Sequence, residues 1–170
     1  YEEEHLNSVL YVSVFREQLK ELGYIGAPYD IYLLDDLAAG LVPEHKVNIF
    51  LATNLMTEQE RAAVEGLKKN GNILLFQFTD AISDGKRTDL SLMESLVGMN
   101  LQIISTERQP IAAAKISNTN HWLTDGMYVG QSYGVRHYNM LSPVIGVSDA
   151  EAVSLADHTT SSGLAAGQTA

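Results

Sequence analysis

The chain is 170 residues long with a formal net charge of −10, an apolar fraction of 45% and no cysteine. That length holds one full-sized core, and no stretch of eighteen apolar residues offers a transmembrane helix. The acidic balance argues against nucleic acid or an anionic membrane as partner, and the missing cysteines remove disulfides, thiolate metal sites and cysteine nucleophiles together.

The N-terminal Tyr1-Glu2-Glu3-Glu4-His5 is acidic and reads as no signal peptide. Residues 6–22 carry a helical pattern, with Tyr11, Phe15, Leu19 and Leu22 on one face and charged residues elsewhere. Ser8–Val14 reads equally well as a strand because β-branched residues dominate it, but helix is favoured throughout, stopping near Gly23. After Gly26-Ala27-Pro28 come three short apolar runs, Asp30–Leu34, Val47–Ala52 and Ile73–Phe78. Runs of this kind suit strands buried on both faces of a parallel sheet.

Between the first two runs, Asp35–Ala39 is expected as a short helix or turn broken by Gly40 and Pro43. Thr57-Glu58-Gln59-Glu60 is a capping box. It opens a helix expected to reach about Lys69, with Ala62, Ala63 and Leu67 inward, and to end in a left-handed turn at Asn70-Gly71. A polar loop, Thr79–Thr88, leads to a further helix from about Asp89 to Val97.

Past Gly98 the pattern changes. Leu101–Ser105 and Ile111–Ile116, separated by Gln109-Pro110, resemble edge strands or a small antiparallel addition. A short turn or helix is expected over Asn120–Asp125 around Trp122, a strand at Pro143–Val147, a short helical turn at Asp149–Leu155 and a last strand at Gly163–Gln168. Alternating strands and helices over the first hundred residues make an open, mostly parallel α/β sheet the expected architecture, with helices on both faces and short extra strands in the C-terminal third. If residues 6–22 are helix, the usual first strand of such a sheet lies upstream in a longer polypeptide, so the chain reads as a piece of a multidomain protein.

Ligands of open α/β sheets bind beyond the carboxyl ends of the strands. There the chain has Asp35 and Asp36, then Thr53 and Asn54, then Thr79, Asp80 and Ser83, which make the strand ends a candidate polar pocket for a sugar or cation, with Asp35, Asn54, Thr79 and Asp80 as the binding candidates. The same residue types are also ordinary strand-to-helix turn and capping residues. No phosphate loop or flavin loop is present, and Asp80 with Asp84 lacks the further carboxylates of a magnesium site. The five histidines have no metal-binding spacing. No cofactor or metal is therefore expected. Trp122, Tyr133 and Tyr138, beside His121 and Arg136, are the aromatic candidates for a carbohydrate or partner surface, since aromatic rings stack on sugars and anchor interfaces; Trp and Tyr at such spacings are more often core edge. A serine-hydrolase elbow would need glycines around the residue after the third run, where Phe78-Thr79-Asp80-Ala81 stands instead.

Gly26–Leu37, Lys46–Leu51, Glu60-Arg61 and Asn70–Leu75 together resemble the glutamine-amidotransferase-like domain of large glycoside hydrolases, related to the trimerisation domain of family 42 β-galactosidases. Leu141-Ser142-Pro143 and Asp149-Ala150-Glu151-Ala152 follow the same pattern. The resemblance implies a single flavodoxin-like, three-layer domain over residues 1–170. It also implies that the catalytic cysteine is lost, since Phe78-Thr79-Asp80 occupies its place. No catalytic residue carries over. The implied role is non-catalytic and accessory, assembly with other domains of a β-galactosidase-like parent; the alternative is a small-molecule or carbohydrate-binding module using the strand-end pocket. A homo-oligomer is expected, in the cytoplasm or outside the cell.

Overall fold

The computed structural model describes residues 12–106, 109–141, 143–160 and 165–169. The chain is mixed α/β with small open sheets and divides into two compact units, Tyr1–Gly98 and Met99–Ala170.

In the first unit a π-helical turn, Val12–Arg16, runs into helix α1 (Glu17–Leu22). The expected helix start, including Tyr11, lies outside the described residues. Gly23 ends α1 as expected, but with a right-handed φ of −63°; the left-handed bend comes at Gly26.

The expected strand Asp30–Leu34 does not form. Residues 30–33 have no regular structure, Ile31 and Leu33 are 63% and 69% exposed, and Leu34 already opens helix α2 (Leu34–Ala38). Two causes act together. The Asp36 carboxylate reaches back to accept the Leu33 N–H at 3.2 Å, starting the helix early. And an apolar run becomes a strand only beside a neighbour that pairs its backbone; none of the described strands does so here.

The other two runs do pair. Strand β1 (Val47–Ile49) lies parallel to β2 (Ile73–Leu75), with Val47 opposite Ile73 and Ile49 opposite Leu75. Both are shorter than expected because the backbone turns left-handed soon after, at Ala52 (φ 56°) and Phe78 (φ 54°). Between them runs helix α3 (Glu58–Gly66), started by the expected capping box: the Glu60 carboxylate accepts from the Thr57 N–H at 2.6 Å, and the Thr57 hydroxyl oxygen accepts from the Glu60 N–H. Its inner face is Glu60, Val64 and Leu67 rather than Ala62, which is exposed. Steps of four and three residues stay on one side of a helix, and Ala62 is two residues from Glu60. Asn70 and Gly71 both have positive φ, making the expected left-handed turn. Helix α4 (Leu90–Val97) is capped by Asp89, which accepts from the Ser91 N–H at 2.8 Å, and ends on left-handed Gly98.

Alternation sorts the parallel pair into two faces. Phe50 and Phe76, stacked at 4.8 Å, join Leu74 on the inner face, with Met56, Val64, Ala81 and Leu96 completing the core. Val47, Ile49 and Leu75 point the other way and remain 50%, 42% and 41% exposed.

The second unit is antiparallel. Strand β3 (Leu101–Ser105) pairs with β6 (Val144–Val147), and β4 (Gln109–Ile116), β5 (Ser132–Leu141), β7 (Ala156–Thr160) and β8 (Ala165–Thr169) form a sheet in the order β5-β4-β7-β8. This is the small antiparallel addition, but it changes the balance: among the described strands only β1 and β2 pair in parallel, so the sheet is not the mostly parallel one expected. The parallel reading fails because Asp30–Leu34 drops out and the later strands are joined as antiparallel neighbours. Gln109-Pro110 does not interrupt β4; it pairs with Leu141 and Met140. Nor is Asp149–Leu155 helical. The Asp149 carboxylate accepts from the Glu151 and Asn100 N–H groups, fixing a turn before β7. The single turn Trp122–Thr124 is a 3-10 helix. Among the described residues no helix is long and apolar enough to cross a membrane.

Candidate functional site

The carboxyl ends of β1 and β2 bring together three of the four strand-end candidates. After β1 the chain runs through Thr53 and Asn54, and after β2 through Gln77, Thr79 and Asp80. The two loops then run side by side, with the Ala81 N–H donating to Thr53 O at 2.9 Å and the Ser83 N–H to Asn54 O at 2.9 Å. The Thr79 hydroxyl donates to the Asn54 side-chain carbonyl at 3.1 Å. Asp35 is apart from them, exposed on the first turn of α2.

Asp80 is the centre of the cluster and is 0% exposed. One carboxylate oxygen accepts from the Thr53 N–H at 2.6 Å and the Thr53 hydroxyl at 2.8 Å; the other accepts from the Gln77 N–H at 2.6 Å. Burial pushes its carboxyl above the usual aspartate range, and these three donors pull in the opposite direction without cancelling it. Three residues without the freedom of glycine hold positive φ beside it: Ala52, Phe78 and Ala81. Such backbone costs on the order of 1 kcal/mol per residue and persists only where surrounding contacts enforce it. The strained turn that the absence of glycine argued against is therefore present. Its left-handed position is filled by Phe78, and the hydroxyl that follows, that of Thr79, is buried and donates to Asn54.

A second group locks the loop from the helix side. Arg61, one turn into α3, donates from Nε to Met56 O at 3.1 Å, from Nη1 to Leu92 O at 2.7 Å, and from Nη2 to Ala81 O. All are backbone carbonyls. Burial lowers its pKa, an effect opposed by nearby Asp84. The planar fork thus ties α3, α4 and the loop after Asp80 to one point. Gln77 did not stand out in the sequence, and Arg61 did so only within the resemblance. Thr53 at a strand end was the one available signal.

Asp84 does not join Asp80 in a metal pair. It faces its own turn, accepting from the Lys86 and Arg87 N–H groups at 2.8 Å each. Among the described residues no group of three His, Asp or Glu is arranged to hold a metal.

The aromatic candidates are in the second unit. Trp122 is 64% exposed, with the His121 ring tilted against it at 5.7 Å. Tyr133 is also exposed and its hydroxyl accepts from the Gln131 amide. Tyr138 belongs to β5, but its side chain lies outside the described residues. Tyr128, exposed nearby in sequence, adds a further ring. Comparison with protein-family models, curated proteins and solved structures finds no match to this chain.

Proposed function

We propose that the chain is a non-catalytic assembly module, the accessory part of a larger glycoside hydrolase of the β-galactosidase-like class, built on a flavodoxin-like scaffold that no longer carries an amidotransferase nucleophile. The observation that carries this reading is the uncovered face of the parallel pair. A parallel sheet is a two-sided structure whose faces are both buried in ordinary domains, yet Val47, Ile49 and Leu75 are exposed together on one side of β1 and β2. Covering that face by another domain or subunit would complete a third layer. The strand-end cluster supports the non-catalytic half of the proposal: Asp80 is buried with both oxygens engaged, and no cysteine exists to attack glutamine.

The test combines assembly and activity. Sedimentation of the purified chain should reveal self-association, or binding to the remainder of its parent, that Ile49→Asp abolishes without unfolding the monomer. Aryl galactosides and glutamine should not be turned over. Turnover that persists through purification and is abolished by one substitution in the strand-end cluster would overturn the proposal.

A second reading, a carbohydrate-binding module, draws on the exposed rings of Trp122, Tyr128 and Tyr133. Quenching or enhancement of Trp122 emission by oligosaccharides, lost in Trp122→Ala, would favour it over assembly.

A further inference from the structure

The strand-end cluster has the composition of an anion site. Two backbone N–H groups from different loops and one hydroxyl converge on a single carboxylate, all within 2.8 Å. Convergent main-chain N–H groups are how proteins hold carboxylates and phosphates without a basic side chain. The loops that supply these donors carry the left-handed Ala52 and Phe78, so the donors are aimed by backbone that would relax without a partner for them. Nothing exposed competes for the place, because Asp80 is wholly buried.

We propose that this cradle is a carboxylate-binding site whose resident ligand is the protein's own Asp80. Thr53 N, Thr53 Oγ1 and Gln77 N form the site, and the Asp80 side chain fills it as a tethered anion. The tether gives the carboxylate a high effective concentration, which is why no external anion is needed. Cutting the tether while leaving the donors should convert the cradle into a receptor for a small free carboxylate. Formate is the matching probe, since it is a carboxylate with no side chain to accommodate. The inference goes beyond the assembly reading and holds whether or not the module associates.

The charged groups around the cradle are few. Arg61 from α3 bonds the carbonyl of the adjoining Ala81, Glu60 of α3 is engaged with Thr57, and Asp84 and Arg87 follow in the loop. The cradle therefore rests on uncharged donors, and its preference is for a planar anion of carboxylate size over chloride.

The experiment is thermal unfolding of the full chain and of Asp80→Ala, each in sodium formate and in sodium chloride of equal ionic strength. Asp80→Ala should melt several degrees below wild type, and formate should recover a few of those degrees in the variant alone. Equal response of both proteins, or no advantage of formate over chloride, would overturn the proposal. If Asp80→Ala does not fold in chloride, folding in formate supports it. If it folds in neither, amide NMR of the wild type decides: the Thr53 and Gln77 N–H resonances must titrate together with the Asp80 carboxyl. Separate titrations would refute a shared site.

Discussion

Replacing Arg61 with Met removes the guanidinium and keeps most of the side chain's volume. Three carbonyls, those of Met56, Leu92 and Ala81, then lose their donor; a fourth contact, to Ser83 O at 3.4 Å, is too long to count for much. A hydrogen bond to a charged group contributes about 1.5–3 kcal/mol when shielded, and a typical exposed one nearer 1 kcal/mol. Arg61 is only partly buried, so the lower figure applies and the three together give a loss of about 3 kcal/mol. For a unit of this size each kcal/mol shifts the midpoint by about 4–8 °C, so the first unit should melt roughly 12–24 °C earlier.

The two units offer separate signals for this measurement. The four α-helices of the described residues lie before Met99, so the helical band of far-UV dichroism follows the first unit, whereas the single tryptophan, Trp122, lies in the second. Urea titrations of Arg61→Met should move the dichroism transition and leave the fluorescence transition nearly in place. Arg61→Lys should fall between, because an ammonium cannot span three carbonyls as a planar fork does. A loss below about 1 kcal/mol for Arg61→Met, or a lysine variant as stable as wild type, would refute the clamp.

Thr57→Ala should destabilise the first unit by about 1 kcal/mol in the same titration, the ordinary worth of an N-cap. Gly98→Ala should cost about 1 kcal/mol through its positive φ alone, since nothing lies within 4 Å of an added Cβ and no clash contributes. For His158, burial lowers the pKa, partly offset by Asp157. The folded chain therefore binds its proton less readily than the unfolded chain, and the stability this gives is present above about pH 6.5 and is lost as pH falls through the depressed value. Urea midpoints read by Trp122 should drop across that window in the wild type and drop less in His158→Gln; an equal drop in both would assign the effect to another group.

What could be read along the chain were the features whose partners are three or four residues away. The Thr57–Glu60 box and the Asn70-Gly71 turn formed where the residue types placed them, and the helix expected from about Asp89 to Val97 is Leu90–Val97, because each is closed by hydrogen bonds or torsions within its own turn. Tertiary structure decided the rest. Asp30–Leu34 has the composition of a strand but lacks a backbone neighbour among the described strands, and so the local pull of Asp36 toward helix prevails. Asp80 meets Thr53 across 27 positions, and Arg61 reaches Leu92 across 31. The left-handed turns at Ala52, Phe78 and Ala81 have no signature in residue type. They are held by those long-range contacts, whose geometry exists only once the two strand ends lie side by side.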